Sequence, residues 1–295
     1  MRKNKLLALG LAALMAASVA GCSTPSASVD DTKSAESGSD SSQSPAAGEK
    51  IFRYSNTADI ATIDPDKTNS VADATVSYHI YDGLYRNVQG ELQPATAESY
   101  EVSDDGLVYT FKLRQDTKWS DGQTVTAKDY EYGMKRLCDP AAACPASYLG
   151  AVLKNGAKVS GGELSVDELG VKALDDFTLE ITLENPADYF VSMTSMSAFM
   201  PVREDLVEKY GNEFGGSADK QVYNGPFVVT EYANGKVELA KNPDYYDNEK
   251  ISLDGVEILT VADQTTAVSM FDAGELDLAE VPTELAAKYE GKTQS

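Results

Sequence analysis

Residues 97–137 read AESYEVSDDGLVYTFKLRQDTKWSDGQTVTAKDYEYGMKRL, and this stretch decides the fold class. Two alternating runs flank the turn Ser103-Asp104-Asp105-Gly106, which is the pattern of a β-hairpin. Leu107, Tyr109, Phe111 and Leu113 fall on one face of its second strand. Asp121-Gly122 then turns the chain, and Thr126 with Asp129 three residues on makes a capping arrangement that opens a helix. In that helix Tyr130, Met134 and Leu137 share one side, while Lys128, Glu131 and Lys135 are expected to face water. Trp119, the chain's single tryptophan, is expected to pack against it. No group in this segment is poised to react, so it reads as scaffold.

The hairpin device recurs on both sides. VKALDDFTLEITLENP, residues 171–186, turns at Asp175-Asp176 and places Phe177, Leu179, Ile181 and Leu183 on one face. PFVVTEYANGKVELAKN, residues 226–242, holds Asn234-Gly235, the strongest short hairpin signal. A first strand is expected at residues 51–54, and Val76, Ile80 and Leu84 predict a helix over 72–81. Pro201 is expected to open a helix carrying Val202, Leu206, Val207 and Tyr210 on its apolar side. Gly274 is expected to close another that begins near Gln264. Strands and helices alternate without an internal repeat, so the class is α/β.

The N-terminus is an address. Arg2, Lys3 and Lys5 precede an uncharged apolar run, residues 6–20, too short for the ~20 residues of a spanning helix. Val19-Ala20-Gly21-Cys22 resembles a bacterial lipobox, in which Cys22 is lipidated and becomes the new N-terminus. Residues 23–50 are rich in Ser, Ala, Asp and Gly and nearly free of large apolar groups, the composition of a flexible tether.

Composition excludes several functions. The net charge is −22, which disfavours nucleic acid and anionic lipid headgroups as partners. The chain has one histidine, His79, and no G-x-S-x-G elbow, phosphate loop or cluster of metal ligands. Catalytic residues, metal ligands and cofactors are therefore expected to be none. An enzyme using two carboxylates stays open in principle, because Asp and Glu total 47 and any pair is uninformative. Cys138 and Cys144 share a short loop bounded by Pro140 and Pro145. Outside the cytoplasm a disulfide is expected there, contributing roughly 2 kcal/mol, with two reduced thiols as the alternative.

Residues 97–137 also resemble the signature of extracellular solute-binding proteins of the peptide and nickel class, which feed ABC importers. NGPFVVTEYANGKVELAKNPDYYD, residues 224–247, and DAGELDLAEVPTE, residues 272–284, are similar to the oligopeptide-binding branch. The resemblance runs from about Ile51 to Glu284. It implies a type II periplasmic-binding-protein-like clamp of mixed α/β structure with an extra domain. The corresponding boundaries are signal peptide 1–21, lipidated tether 22–50, first lobe 51–84 and 201–295, and extra domain 85–200. The second lobe is expected to be missing from this chain.

The resemblance implies an oligopeptide ligand held mainly through its main chain, delivery to the permease subunits of an ABC importer, and no enzymatic step. It implies a monomer, lipid-anchored at Cys22 on the outer face of the cell membrane. The loop after Asp64-Pro65 places Asn69, Ser70 and Val71 at the cleft. The family's loop reaches the ligand through a tyrosine, a role the resemblance gives here to Tyr148 or to no residue, because CPASYL is one residue shorter than the family's loop. Asn224 and Gly225 form a second cleft-side turn. The alternatives are a surface receptor or adhesin on the same fold, or a binder of nickel, haem or sugar.

Overall fold

The computed structural model describes residues 48–233 and 235–291. The export segment, Cys22, most of the tether and Asn234 lie outside the described residues. The first strands are β1 (Ile51–Asn56), β2 (Tyr85–Val88), β3 (Glu91–Pro94), β4 (Ala97–Val102) and β5 (Val108–Leu113). They are followed by β6 (Val171–Asp175), β7 (Thr178–Thr182), β8 (Phe227–Ala233), β9 (Lys236–Lys241) and β10 (Gly255–Thr260). The helices are α1 (Val71–Ile80), α2 (Ala127–Cys138), α3 (Gly156–Ser160), α4 (Phe190–Met193), α5 (Glu204–Tyr210), α6 (Gln264–Asp272) and α7 (Ala286–Tyr289).

The expected hairpins assemble into two different sheets. One is antiparallel, in the order β4-β5-β7-β6, and all its strands come from consecutive hairpins. Tyr109, Phe111 and Leu113 on β5 and Leu179 and Ile181 on β7 are buried, as their alternation predicts. The other sheet has the order β1-β10-β9-β8, with β1 and β10 parallel from Ile51↔Gly255 to Asn56↔Thr260. A parallel pair needs a crossover. Here the crossover is everything from α1 to β9, including the whole antiparallel sheet. Gly255 permits the close approach of β9, since a Cβ there would lie 2.6 Å from the Leu239 carbonyl oxygen. One cluster of buried apolar side chains runs through both sheets, from Tyr54 to Phe111 and Ile258.

Helix α2 begins as its sequence predicts, with the Thr126 N–H donating to Asp129 Oδ2 at 2.7 Å. Trp119 Nε1 reaches the same oxygen at 3.4 Å, so the tryptophan is fixed to the helix's first turn. Its polar side is not simply solvated. Glu131 accepts the Ala173 N–H of edge strand β6 at 2.8 Å, and Lys128 pairs with Asp176 at 2.9 Å. The helix thus satisfies an unpaired strand edge.

Two expectations need correction. Pro201 does not open a helix: α5 starts at Glu204, because the Val202 N–H is already donated to the Asp129 carbonyl at 3.1 Å and holds residues 201–203 extended. The disulfide between Cys138 and Cys144 is not formed, and both thiols are free and buried. Cys138 ends α2 with its sulfur against Gly150, where an added Cβ would lie 2.2 Å away. Cys144 Sγ instead donates to the Arg136 carbonyl at 3.4 Å. The two sulfurs are committed to different neighbours.

Candidate ligand-binding rim

Residues 61–70, which lead into α1, are held by a series of hydrogen bonds. Asp64 and Asp66 reach into the protein and meet Arg136 of α2, which donates to Asp64 at 2.6 and 2.8 Å and to Asp66 at 2.8 Å. Thr68 Oγ1 donates to the Pro65 carbonyl at 2.9 Å and lies 3.0 Å from the Ser197 hydroxyl. Buried Asp73 accepts the Ala61 N–H at 2.7 Å and the Asn69 N–H at 3.4 Å. Ser70 caps α1, its hydroxyl accepting the Asp73 N–H at 3.1 Å. With the backbone fixed, Asn69 is exposed and Val71 stands 85% exposed at the helix start.

Further exposed apolar groups follow Val71. Tyr78, two turns along the same face of α1, is 51% exposed and shares a cavity of about 290 Å³ with Ser195, Asp82 and Arg86. Met196 follows Ser195 and enters a larger cleft of about 560 Å³ with Tyr148 and Tyr189, which are 73% and 64% exposed. Where exposed aromatic and aliphatic groups form one patch, they mark a surface that a partner covers.

Asn69 and Val71 are exposed at the start of α1 and Tyr148 is exposed on the larger cleft, whereas Asn224 and Gly225 are buried. Asn224 is fully buried. Its Nδ2 donates to the Asp82 carbonyl at 2.9 Å, and its Oδ1 accepts the Asp82 N–H at 3.1 Å. Gly225 packs on the end of α1, where a Cβ would lie 2.5 Å from the Ile80 carbonyl carbon, and its N–H donates to Ile80 O. Both residues frame the rim from beneath. Ser70 likewise spends its side chain on the helix cap.

The same layer holds a second charged assembly. The buried Asp82 Oδ2 accepts from Tyr245 at 2.8 Å, Tyr246 at 3.1 Å and Arg86 Nη2 at 2.8 Å. Burial pushes the Asp82 carboxyl up to about 6 against the opposing pull of Arg86. Burial also raises Asp66 well above the usual carboxylate range. Neither arginine stood out in the sequence. His79 is a packing residue, its Nδ1 2.7 Å from the Thr75 carbonyl and its ring stacked 6.0 Å from that of Tyr54. Burial lowers its pKa. Among the described residues no group of three or more His, Cys, Asp or Glu could hold a metal ion. No described helix is long and apolar enough to cross a membrane.

Residues 91–295 match the sequence profile of the bacterial extracellular solute-binding proteins, family 5 Middle, which is more than half of the chain. The chain belongs to that family. Its members are substrate-binding receptors of ABC importers rather than enzymes. Among the relatives, a Bacillus subtilis protein named dipeptide-binding protein DppE is 36% identical over 97% of this chain and 51% of its own length. An Escherichia coli protein named probable deoxycholate-binding periplasmic protein YgiS is 38% identical over 81% of this chain and 45% of its own. The structure described as Listeria monocytogenes OppA bound to peptide superposes with a TM-score of 0.80 at 33% identity, covering 84% of this chain and 49% of that one. The chain spans about half the length of the curated relatives it matches.

Proposed function

We propose that this family 5 solute-binding chain supplies one side of a cleft that captures oligopeptides outside the cell for delivery to the permease of an ABC importer. The observation that carries this reading is the rim. Val71, Tyr78, Tyr148 and Tyr189 are exposed, and the loop before Val71 is locked by hydrogen bonds. Fixed, exposed apolar groups lose little entropy when a ligand covers them. Asn69, Val71 and Tyr148 are the contact residues of this reading, with Ser70, Asn224 and Gly225 as their frame. The relatives named for dipeptides and oligopeptides support it.

The lobe assignment is part of the proposal. All strands of the mixed sheet fall in residues 51–84 and 201–295, and all strands of the four-stranded antiparallel sheet fall in 85–200, which supports one lobe and one extra domain. We also assign the chain to the outer face of the membrane as a monomer anchored at Cys22. Replacing Cys22 by Ala should abolish incorporation of labelled palmitate in a bacterial host, and equal labelling would remove the anchor.

The YgiS relative favours a second reading, an amphipathic acid such as deoxycholate. An amide NMR titration separates the two. A tri- to pentapeptide pool should shift residues 69–71 and Tyr78 while deoxycholate leaves them unmoved. The reverse result would replace the peptide with the acid.

A further inference from the structure

The larger cleft contains chemistry that main-chain recognition does not require. Tyr148 and Tyr189 stand on it together with Met193, Met196 and Glu184, and no Lys, Arg or His lines it. Neither tyrosine ring stacks on another ring among the described residues. The Glu184 backbone is fixed by two hydrogen bonds, and its exposed side chain is held by one. Its N–H donates to the Val152 carbonyl at 2.9 Å, the preceding Leu183 N–H donates to the Leu107 carbonyl at 2.8 Å, and its Oε2 accepts the Asn155 N–H at 2.8 Å. Oε1 takes no protein donor among the described residues.

Each group favours the same kind of occupant. Tyrosine ring faces attract cations, a fixed carboxylate forms charge-assisted hydrogen bonds with guanidinium or ammonium, and thioethers pack against an alkyl stem. An anion would meet Glu184 without a compensating base, in a chain of net charge −22.

We propose that this cleft is a subsite for the cationic side chain, arginine or lysine, of a peptide lying along the rim. The proposal rests on the peptide-binding reading above and adds a preference to it. Met196 lines this cleft and its chain neighbour Ser195 lines the Tyr78 cavity, which puts the subsite one residue from the cavity beside α1.

The test titrates the full chain, carrying ¹³C-methyl methionine, with the tetrapeptides Ala-Ala-Arg-Ala and Ala-Ala-norleucine-Ala. Met193 and Met196, assigned through Met193→Leu and Met196→Leu, report the cleft, while amides of residues 69–71 report the rim. The methyl signals should respond to the arginine peptide at roughly ten-fold lower concentration than to the norleucine peptide. Glu184→Gln keeps an oxygen for the Asn155 N–H and removes the charge, so the ratio should fall to about two. Rim shifts with both peptides but no arginine preference at the methyls would overturn the subsite and leave the peptide reading standing. A preference unchanged in Glu184→Gln would overturn it as well. Silence at rim and cleft with both peptides would overturn both.

Discussion

Arg136 faces two carboxylates, Asp64 and Asp66, whereas Arg86 shares the single carboxylate of Asp82 with the hydroxyls of Tyr245 and Tyr246. Both assemblies are built around buried acids, but their donors differ. With both acids ionised, Arg136 is the one residue that ion-pairs with them, Lys67 adds a more distant positive charge, and Asp66 Oδ1 has no hydrogen-bond partner among the described residues. Burial answers by raising the Asp66 pKa, which favours a proton there. The Asp82 assembly is neutral when ionised, and two neutral hydroxyls replace the water that its carboxylate lost. Arg86 also keeps partial access to solvent, at 27% side-chain exposure against 9% for Arg136. One assembly pairs its acids directly with one guanidinium, and the other spreads its dependence over three donors.

Removing each centre should expose that difference. Arg136→Met should cost about 3–5 kcal/mol, because two buried carboxylates lose their counter-charge. Adding Asp64→Asn and Asp66→Asn should recover most of it, as read by urea denaturation. Asp82→Ala should cost less, about 2–3 kcal/mol, since Arg86 can turn to water while the two hydroxyls lose their acceptor. Equal losses in the two variants would erase the contrast.

A smaller effect follows from pH. The folded Asp82 titrates at about 6, above the roughly 4 of an unfolded carboxyl, so the folded state binds the proton more tightly. Its contribution to stability is full below the unfolded value and is lost as pH rises through about 6. Asp82→Asn should flatten that part of the Tm–pH curve, and an unchanged slope would place the titration elsewhere.

The smallest effect expected is at the thiols. Cys144 leans on the Arg136 carbonyl, and burial pushes Cys138 up to about 11 and Cys144 up to about 12. Iodoacetamide at pH 8 should leave both unmodified until denaturant is added, and reductant should leave Tm unchanged. A fall of several degrees on reduction would restore the disulfide.

What the sequence could reveal was local. Ser103 to Gly106 and Asp175-Asp176 carry their own turn chemistry, and the strands beside them show a period of two, so β4 to β7 are readable where they stand. The β1–β10 pair carries no such mark, because a parallel register is set by packing between distant segments. Arg136 was invisible for the same reason: its partners lie at positions 64 and 66, and its spacing in α2 says only that it is helical. The two cysteines are near in sequence, but a disulfide depends on side-chain direction, which the turn at the end of α2 sets apart. At the rim, Asn69, Val71 and Tyr148 came from the resemblance. The burial of Asn224 follows from the depth of Asp82 beneath α1, which no pattern of residues 224–226 encodes.

The parallel pairing of β1 with β10 has a consequence for the order in which the molecule is made. A ribosome adding about 5–20 residues per second needs on the order of 10–40 s to travel the roughly two hundred residues between them. Throughout that interval β1 has no strand of its own sheet to pair with, because β8 and β9 also lie late in the chain. The antiparallel hairpins, by contrast, find their neighbours almost as they emerge. β1 is thus the first strand of the described fold to be synthesised and among the last to be paired. A holding factor that recognises extended apolar segments would find IFRYSN, residues 51–56, available longer than any other strand of the described fold.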